Sequence, residues 1–446
     1  MDDASSDNQD EDPPDDIAIE HPRPHPQGPH EPVPSVPEMG WNDRFEQFVG
    51  VVYIVCAAMT LALAVVVAIS TSPSTIGVYP VFGKSAGTLH LITVASMGFA
   101  ALWFYLMRKD PKAMVQVNVF LIPAVCVGTS FYGLSGSFHR HPGNSTAHLA
   151  IRYVSLVPLA LAAGWIYILR RDKHQLARAA EMIAMAIRVM ESSPSLHGVS
   201  IGCGLSAVAL TYLWVVFISS AFLEKSLSVL FAFLFTFVFA WTWCLLCNLQ
   251  RCIVTLSTIN WVENVTFQDP WTHVIAIAYR FGGCALSAFI SVLTRIPALI
   301  FGRSVSRALG FALVTLSPSA VIALIHPLTL VVAVTKRSNL AEAAQVVDGP
   351  LTSAQTSTTY RLAKLLLGAT RITFSLVVAF VGWVHADRTD TPASVYSYLI
   401  ALAAFTIGWT IFGVAYNTIS MILDALVVNQ ALYPDKNREV GRVFAH

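Results

Sequence analysis

Charge is scarce in this sequence. Of its 446 residues only 12% are Asp, Glu, Lys or Arg and 55% are hydrophobic, whereas soluble proteins carry about 25% charged residues. A chain that long and that apolar cannot bury its surface in one aqueous core, and no nucleic-acid partner is expected. Catalytic motifs are missing as well: there is no P-loop, no H-E-x-x-H and no serine nucleophile elbow, so the chain is not expected to be an enzyme. The seven cysteines (Cys56, Cys126, Cys203, Cys244, Cys247, Cys252 and Cys284) all sit in apolar segments, which points to packing and not to a disulfide framework. Cys244 and Cys247 have the spacing of a redox or metal pair but lack a second pair, and no metal or cofactor is expected. No apolar h-region follows Met1, so a cleavable signal peptide is not expected and the first hydrophobic segment is read as the targeting anchor.

What is present begins with an acidic, proline-rich tail. Residues 1–40 hold eleven acidic residues, nine prolines and a single basic residue, Arg23. Without apolar periodicity this composition predicts a disordered tail, in which His21, His25 and His30 are solvated. Residues 41–446 carry 27 basic residues against 16 acidic ones. An acidic tail thus precedes a basic membrane body.

Stretches reaching the roughly 20 apolar residues of a membrane-spanning helix follow at about 48–70, 90–107, 113–137, 149–169, 198–222, 228–262, 273–301, 362–384 and 395–428. Arg108, Lys109 and Lys112 make the loop between the second and third cytoplasmic, which fixes the N-terminus inside. The loop with His139, His141 and His148 and the sequon at Asn144 is then external. Lys436, Arg438 and Arg442 place the C-terminal tail, 431–446, inside.

Residues 175–195 admit two readings. Arg178, Glu181, Arg188 and Glu191 share one helical face, as in a helix lying on the membrane surface or a span whose charges face the bundle interior. If the segment spans, Arg303, Arg307, Lys336 and Arg337 all fall inside. The sequon at Asn264 and the Trp261 end of its helix then fall outside. The positive-inside rule favours that arrangement, with residues 308–334, which contain Pro318 and Pro327, entering and leaving on one side. Both arrangements give an all-α polytopic transmembrane bundle of about ten spans over residues 41–430.

The stretch from Trp241 to Trp261 concentrates the polar residues. Trp241, Asn248, Cys252 and Thr255 fall on one helical face, and polar groups at that depth face protein or a watery path. Arg251, Arg295, Arg371 and Asp424 are ionisable at apparent membrane depth, where pairing with one another and lining a pathway are equally expected. Trp241, Trp243, Tyr279, Phe281, Trp409 and Tyr416 are candidates for an aromatic cage around a quaternary ammonium.

These residues resemble the choline transporter-like family, in particular its pH-nine-sensitive branch. Gly40-Trp41-Asn42-Asp43 looks like the family's entry to the first span, and residues 176–195 look like its Arg-rich helix. Trp241, Asn248 and Trp261 match a family spacing without a gap, RFGGCALSAF resembles its double Gly-Ser motif, and YRLAKLLLG and residues 408–424 resemble its last two spans. Departures are Arg251 for a usual His, Leu256 for a usual Gly, and Lys336-Arg337-Ser338-Asn339 for a Tyr-Gly-x-Ser-Tyr element. The resemblance implies a protein moving choline or a related small organic cation by alternating access, and the plasma membrane is the expected residence, with an internal membrane left open. It also implies that residues 175–195 span the membrane. Trp241, Asn248, Arg251, Thr255, Tyr279, Tyr416 and Asp424 are the residues expected near the path. Arg251 keeps an anion or lipid phosphate open as the solute, and the acidic tail keeps open a scaffold that transports nothing.

Overall fold

The structure is a computed structural model that describes residues 41–70, 86–139, 146–223, 229–263, 280–293, 328–347, 358–389 and 395–434. Among them there are helices and no strands: α1 (Trp41–Ser70), α2 (Ala86–Lys109), α3 (Pro111–His139), α4 (Thr146–Arg171), α5 (Lys173–Ser192), α6 (Pro194–Leu223), α7 (Val229–Val262), α8 (Arg280–Leu293), α9 (Thr329–Lys336), α10 (Leu340–Val347), α11 (Thr358–Thr389) and α12 (Val395–Leu432). Six of the described helices, α1, α2, α3, α7, α11 and α12, are long and apolar enough to cross a membrane. Large apolar side chains stand open on their outer faces, Phe120 at 74% and Phe131 at 75% exposure. Such a surface is stable against lipid and unstable in water.

The antiparallel pair α11 and α12 forms the centre. Tyr360 meets Asp424, Arg371 meets Asn417, Phe374 meets Phe412 at 5.0 Å and Gly382 faces Ala404. Around this pair the direction of each helix can be read from its contacts. α2 runs parallel to α12, since Phe99 meets Phe412 and Met107 shares a crevice with Ile419. α6 runs antiparallel to it, since Ser200 meets Thr418 and Gly204 meets Val414. α7 runs parallel to it, Cys247 lying near Arg371 and Arg251 nearer Tyr360. One end of the bundle therefore gathers the C-terminal ends of α2, α7 and α12 with the N-terminal ends of α6 and α11. Arg108 belongs to this end.

α5 lies across that same end. Its Glu181 binds Lys112 at 3.2 Å and its Glu191 binds Arg108 at 2.9 Å, although ten helical residues separate the two acids by about 15 Å. Both partners flank the single α2–α3 elbow, where Pro111 opens α3 and the Asp110 carboxylate accepts the Ala113 N–H at 3.0 Å. The opposite face of α5, including Ala179, Ile183, Ala186 and Met190, is buried. Residues 175–195 thus lie along the bundle end and do not cross beside the spans, which overturns the arrangement favoured by loop charge. The reason is that two of the four charges of α5, Glu181 and Glu191, are paired with the two sides of that one elbow. α7 correspondingly brings its Trp261 end to the Arg108 end, opposite to the outward direction expected. Asn264, outside the described residues, follows two residues after that end.

A clamp at α1 and α8 completes the framework. Gly50 and Gly282 bring the two helices so close that a Cβ on Gly282 would overlap the Glu46 backbone, the close approach that small residues permit in membranes. Glu46 accepts the Leu340 N–H at 2.9 Å at the start of α10, and Arg280 donates to the carbonyls of Ala333 and Ser338 at the end of α9. Arg337 ends α9 in the left-handed conformation, φ 55°. Asn339 then caps α10 by accepting the Glu342 N–H at 2.8 Å and donating to the Glu342 carboxylate. The Lys336-Arg337-Ser338-Asn339 stretch is therefore an ordered elbow held by two other helices.

Candidate functional site

Successive positions on a helix turn by 100°, so α7 presents two faces with different employment. On the first, the Trp241 indole N–H donates to the Ala285 carbonyl at 2.9 Å and the Asn248 amide donates to the Cys284 carbonyl at 3.2 Å. Helical carbonyls keep a second lone pair for such bonds. Cys252 and Cys284 are free thiols with their sulfurs 3.3 Å apart. Tyr53, Phe289 and Phe237 surround the Trp241 ring at 5.1, 5.0 and 6.0 Å. This face is a seam against α8 and α1.

The second face, with Trp243, Cys247 and Gln250, lines a half-open cavity of about 40 Å³ between α7 and α6, α11 and α12. That space holds two or three waters. Ser200, Arg371 and Asn417 complete its polar wall. The Gln250 amide donates to the Thr418 hydroxyl at 3.1 Å, and the Ser200 and Thr418 hydroxyls share a 2.6 Å hydrogen bond. Arg371 donates to the Trp409 carbonyl through Nε at 3.0 Å and Nη2 at 2.8 Å, and to the Asn417 Oδ1 through Nη1 at 2.8 Å. Its guanidinium carbon sits 3.7 Å from the centre of the Trp409 ring. Gly413 makes this possible, because a Cβ there would overlap the guanidinium.

Toward the Arg108 end from this cavity lies a charged triad. Asp424, 1% exposed, accepts from the Tyr360 hydroxyl and the Lys364 ammonium through Oδ1, each at 2.6 Å. Arg251, half-buried, is close enough for its charge to reach the Tyr360 hydroxyl. A buried carboxylate in this setting needs such partners to remain ionised.

The residues expected near the path are therefore distributed. Trp241 and Asn248 are in the α8 seam, and Thr255 donates back to the Arg251 carbonyl at 2.8 Å within its own helix. Asp424 and Arg251 lie by the triad, and Tyr416 packs beside Trp103 in a crevice between α2 and α12. Tyr279, Arg295 and the sequons at Asn144 and Asn264 lie outside the described residues. The aromatic rings divide likewise: Tyr53 links Trp241 to Phe281, Trp243 tilts against Phe239, and Trp409 stacks on Phe405. Among the described residues they do not form one cage. Ser200, Asn417 and Gly413 carry no motif that singles them out. The readable signal was the recurrence of small residues at Ser200, Gly204 and Ala207, which marks a helix face made for close contact.

The family profile described as plasma-membrane choline transporter matches residues 154–432, a range that contains all four helices around the cavity. Choline transporter-like protein ctl1 of Schizosaccharomyces pombe is 22% identical over 388 residues, a match that covers 80% of this chain and 65% of the relative. The chain thus spans just under two thirds of that relative's length. With more than half of the chain matched by the profile and its helices apolar enough for a bilayer, this is an integral, multi-pass membrane protein that belongs to the choline transporter-like family.

Proposed function

We propose that this protein carries choline or a related small organic cation across the plasma membrane by alternating access. The observation that supports this most directly is the family match over residues 154–432, which includes every helix around the cavity. In the proposed arrangement ten segments span: α1 to α4, α6, α7, residues 273–301, residues 308–334, α11 and α12, with α5 lying in the cytoplasmic interface. Residues 1–40 and 431–446 are cytoplasmic tails around one membrane domain. Asn144 is external and able to carry glycan, whereas Asn264 is cytoplasmic and is not.

The path runs along the Trp243 and Gln250 face of α7. Trp241, Asn248 and Thr255 serve as its supporting wall, and Arg251 and Asp424 form the charged floor toward the cytoplasm. A cavity of two or three waters is too small for a trimethylammonium head group, so the conformation described is a closed one that opens by rocking of helices around α11 and α12. Uptake of labelled choline into vesicles holding the purified protein tests the proposal. Flux above empty vesicles, reduced severalfold by Trp243→Ala, is expected, and flux no greater than in empty vesicles overturns it. Arg371 in the cavity wall favours a second reading, an anionic solute. On that reading anions, and not choline, raise the melting temperature.

A further inference from the structure

Arg371 places a cation where a transporter of cations has an aromatic ring to offer. Its guanidinium sits over Trp409 with the central carbon 3.7 Å from the ring centre. That is well inside the roughly 6 Å at which a ring face attracts a cation. The same group reaches Asn417 and the Trp409 carbonyl, and it forms part of the wall of the cavity between α6, α7, α11 and α12. Gly413 leaves the space that the guanidinium fills. A free organic cation entering here meets a ring face already taken and a like charge beside it.

We infer that Arg371 is a tethered cation occupying the quaternary-ammonium subsite formed by the Trp409 face and the Asn417 side-chain oxygen, and that it must swing away before substrate binds. The inference rests on the transport of a cation proposed above and names the subsite and the competitor within it. A side chain tethered to the site competes at a fixed effective concentration, so measured substrate affinity is lowered by the fraction of time the ring is covered. Swinging off Trp409 turns the guanidinium into the adjoining cavity, whose water-sized space accepts it only after the four helices loosen. Substrate entry and helix movement are thereby linked through one residue.

The test measures binding of tetramethylammonium and choline to the purified full-length chain by calorimetry, alongside choline flux in vesicles. Arg371→Gln is expected to tighten tetramethylammonium binding about tenfold, and adding Trp409→Leu to that variant is expected to abolish the gain. Gly413→Ala provides an independent route should Arg371→Gln not fold, because the added Cβ displaces the guanidinium without removing it. It is expected to tighten binding in the same direction. Unchanged or weaker binding in the folded variants overturns the inference and leaves Arg371 as a brace between α11 and α12. So does a gain that survives Trp409→Leu. Choline flux by the wild type without the tightening sinks the inference alone, whereas tightened binding without flux in any variant sinks the transport proposal and spares the subsite.

Discussion

The two faces of α7 carry similar residues and do different things. Trp241 and Asn248 on one face bond directly to the α8 backbone at Ala285 and Cys284, leaving no gap between the helices. Trp243 and Gln250 on the other, two residues further along in each case, border a half-open cavity. An indole and an amide therefore act as mortar where a neighbouring backbone carbonyl is in reach, and as a wall where the neighbouring side chains are small. Position around the helix decides this, and residue type does not.

Substitutions that break the seam are expected to cost stability, and those at the cavity to change transport or binding. The largest effect is expected from Gly282→Val. Its side chain would overlap the α1 backbone at Glu46, a clash that flexible side chains cannot relieve, with a penalty beyond the about 3 kcal/mol usual for overpacking. Detergent extraction followed by size-exclusion chromatography should show aggregate and no folded peak. Recovery of a wild-type peak would refute the close α1–α8 approach.

Next comes Trp241→Ala, which empties a buried indole site and is expected to cost about 3 to 5 kcal/mol in thermal unfolding. Trp243→Ala should lower the unfolding temperature much less while reducing choline flux. A reversal of that order would exchange the roles of the two faces.

Lys364→Met tests the charged floor. It strips the ammonium from Asp424, and removing one partner of a buried pair is expected to cost about 3 kcal/mol. Lys364→Met combined with Asp424→Leu should recover part of the loss, and failure to do so would mean that the pair contributes no mutual stabilisation. The smallest effect is expected from Asn248→Ala, about 0.6 kcal/mol and at most about 1.7, the range of interhelical hydrogen bonds in membranes. A larger loss would give Asn248 a role beyond the seam.

Much of the membrane architecture was readable in the chain because the signal is local. Apolar runs of sufficient length announce spans wherever they occur, and the all-helical, multi-pass character follows from them. The in-plane position of α5 was not readable in the same way. Its four charges on one face are equally consistent with a surface helix and a buried span, and only the pairing of Glu181 and Glu191 with the two sides of one elbow separates them. The positive-inside rule does not separate them, because it weighs loop charges and carries no information about charges satisfied by neighbouring helices.

The candidate site was legible in part. Arg371, Asp424, Trp243 and Trp409 stood out as charges or rings at membrane depth, but their partners did not. Nothing in the sequence ties Lys364 to Asp424 or places Arg371 over Trp409 and beside Gly413. These groupings join residues from different helices.

By itself the sequence determined that this protein is helical and lives in a bilayer, since backbone hydrogen bonding in lipid leaves few alternatives for runs so apolar. It also determined which polar residues must find partners there. Only the tertiary structure decided which partner each one has: α8 for Trp241 and Asn248, the α2–α3 elbow for α5, and Trp409 for Arg371. Helix packing sets those choices through the rotation and direction of each helix, and both are fixed by contacts between segments far apart in the chain.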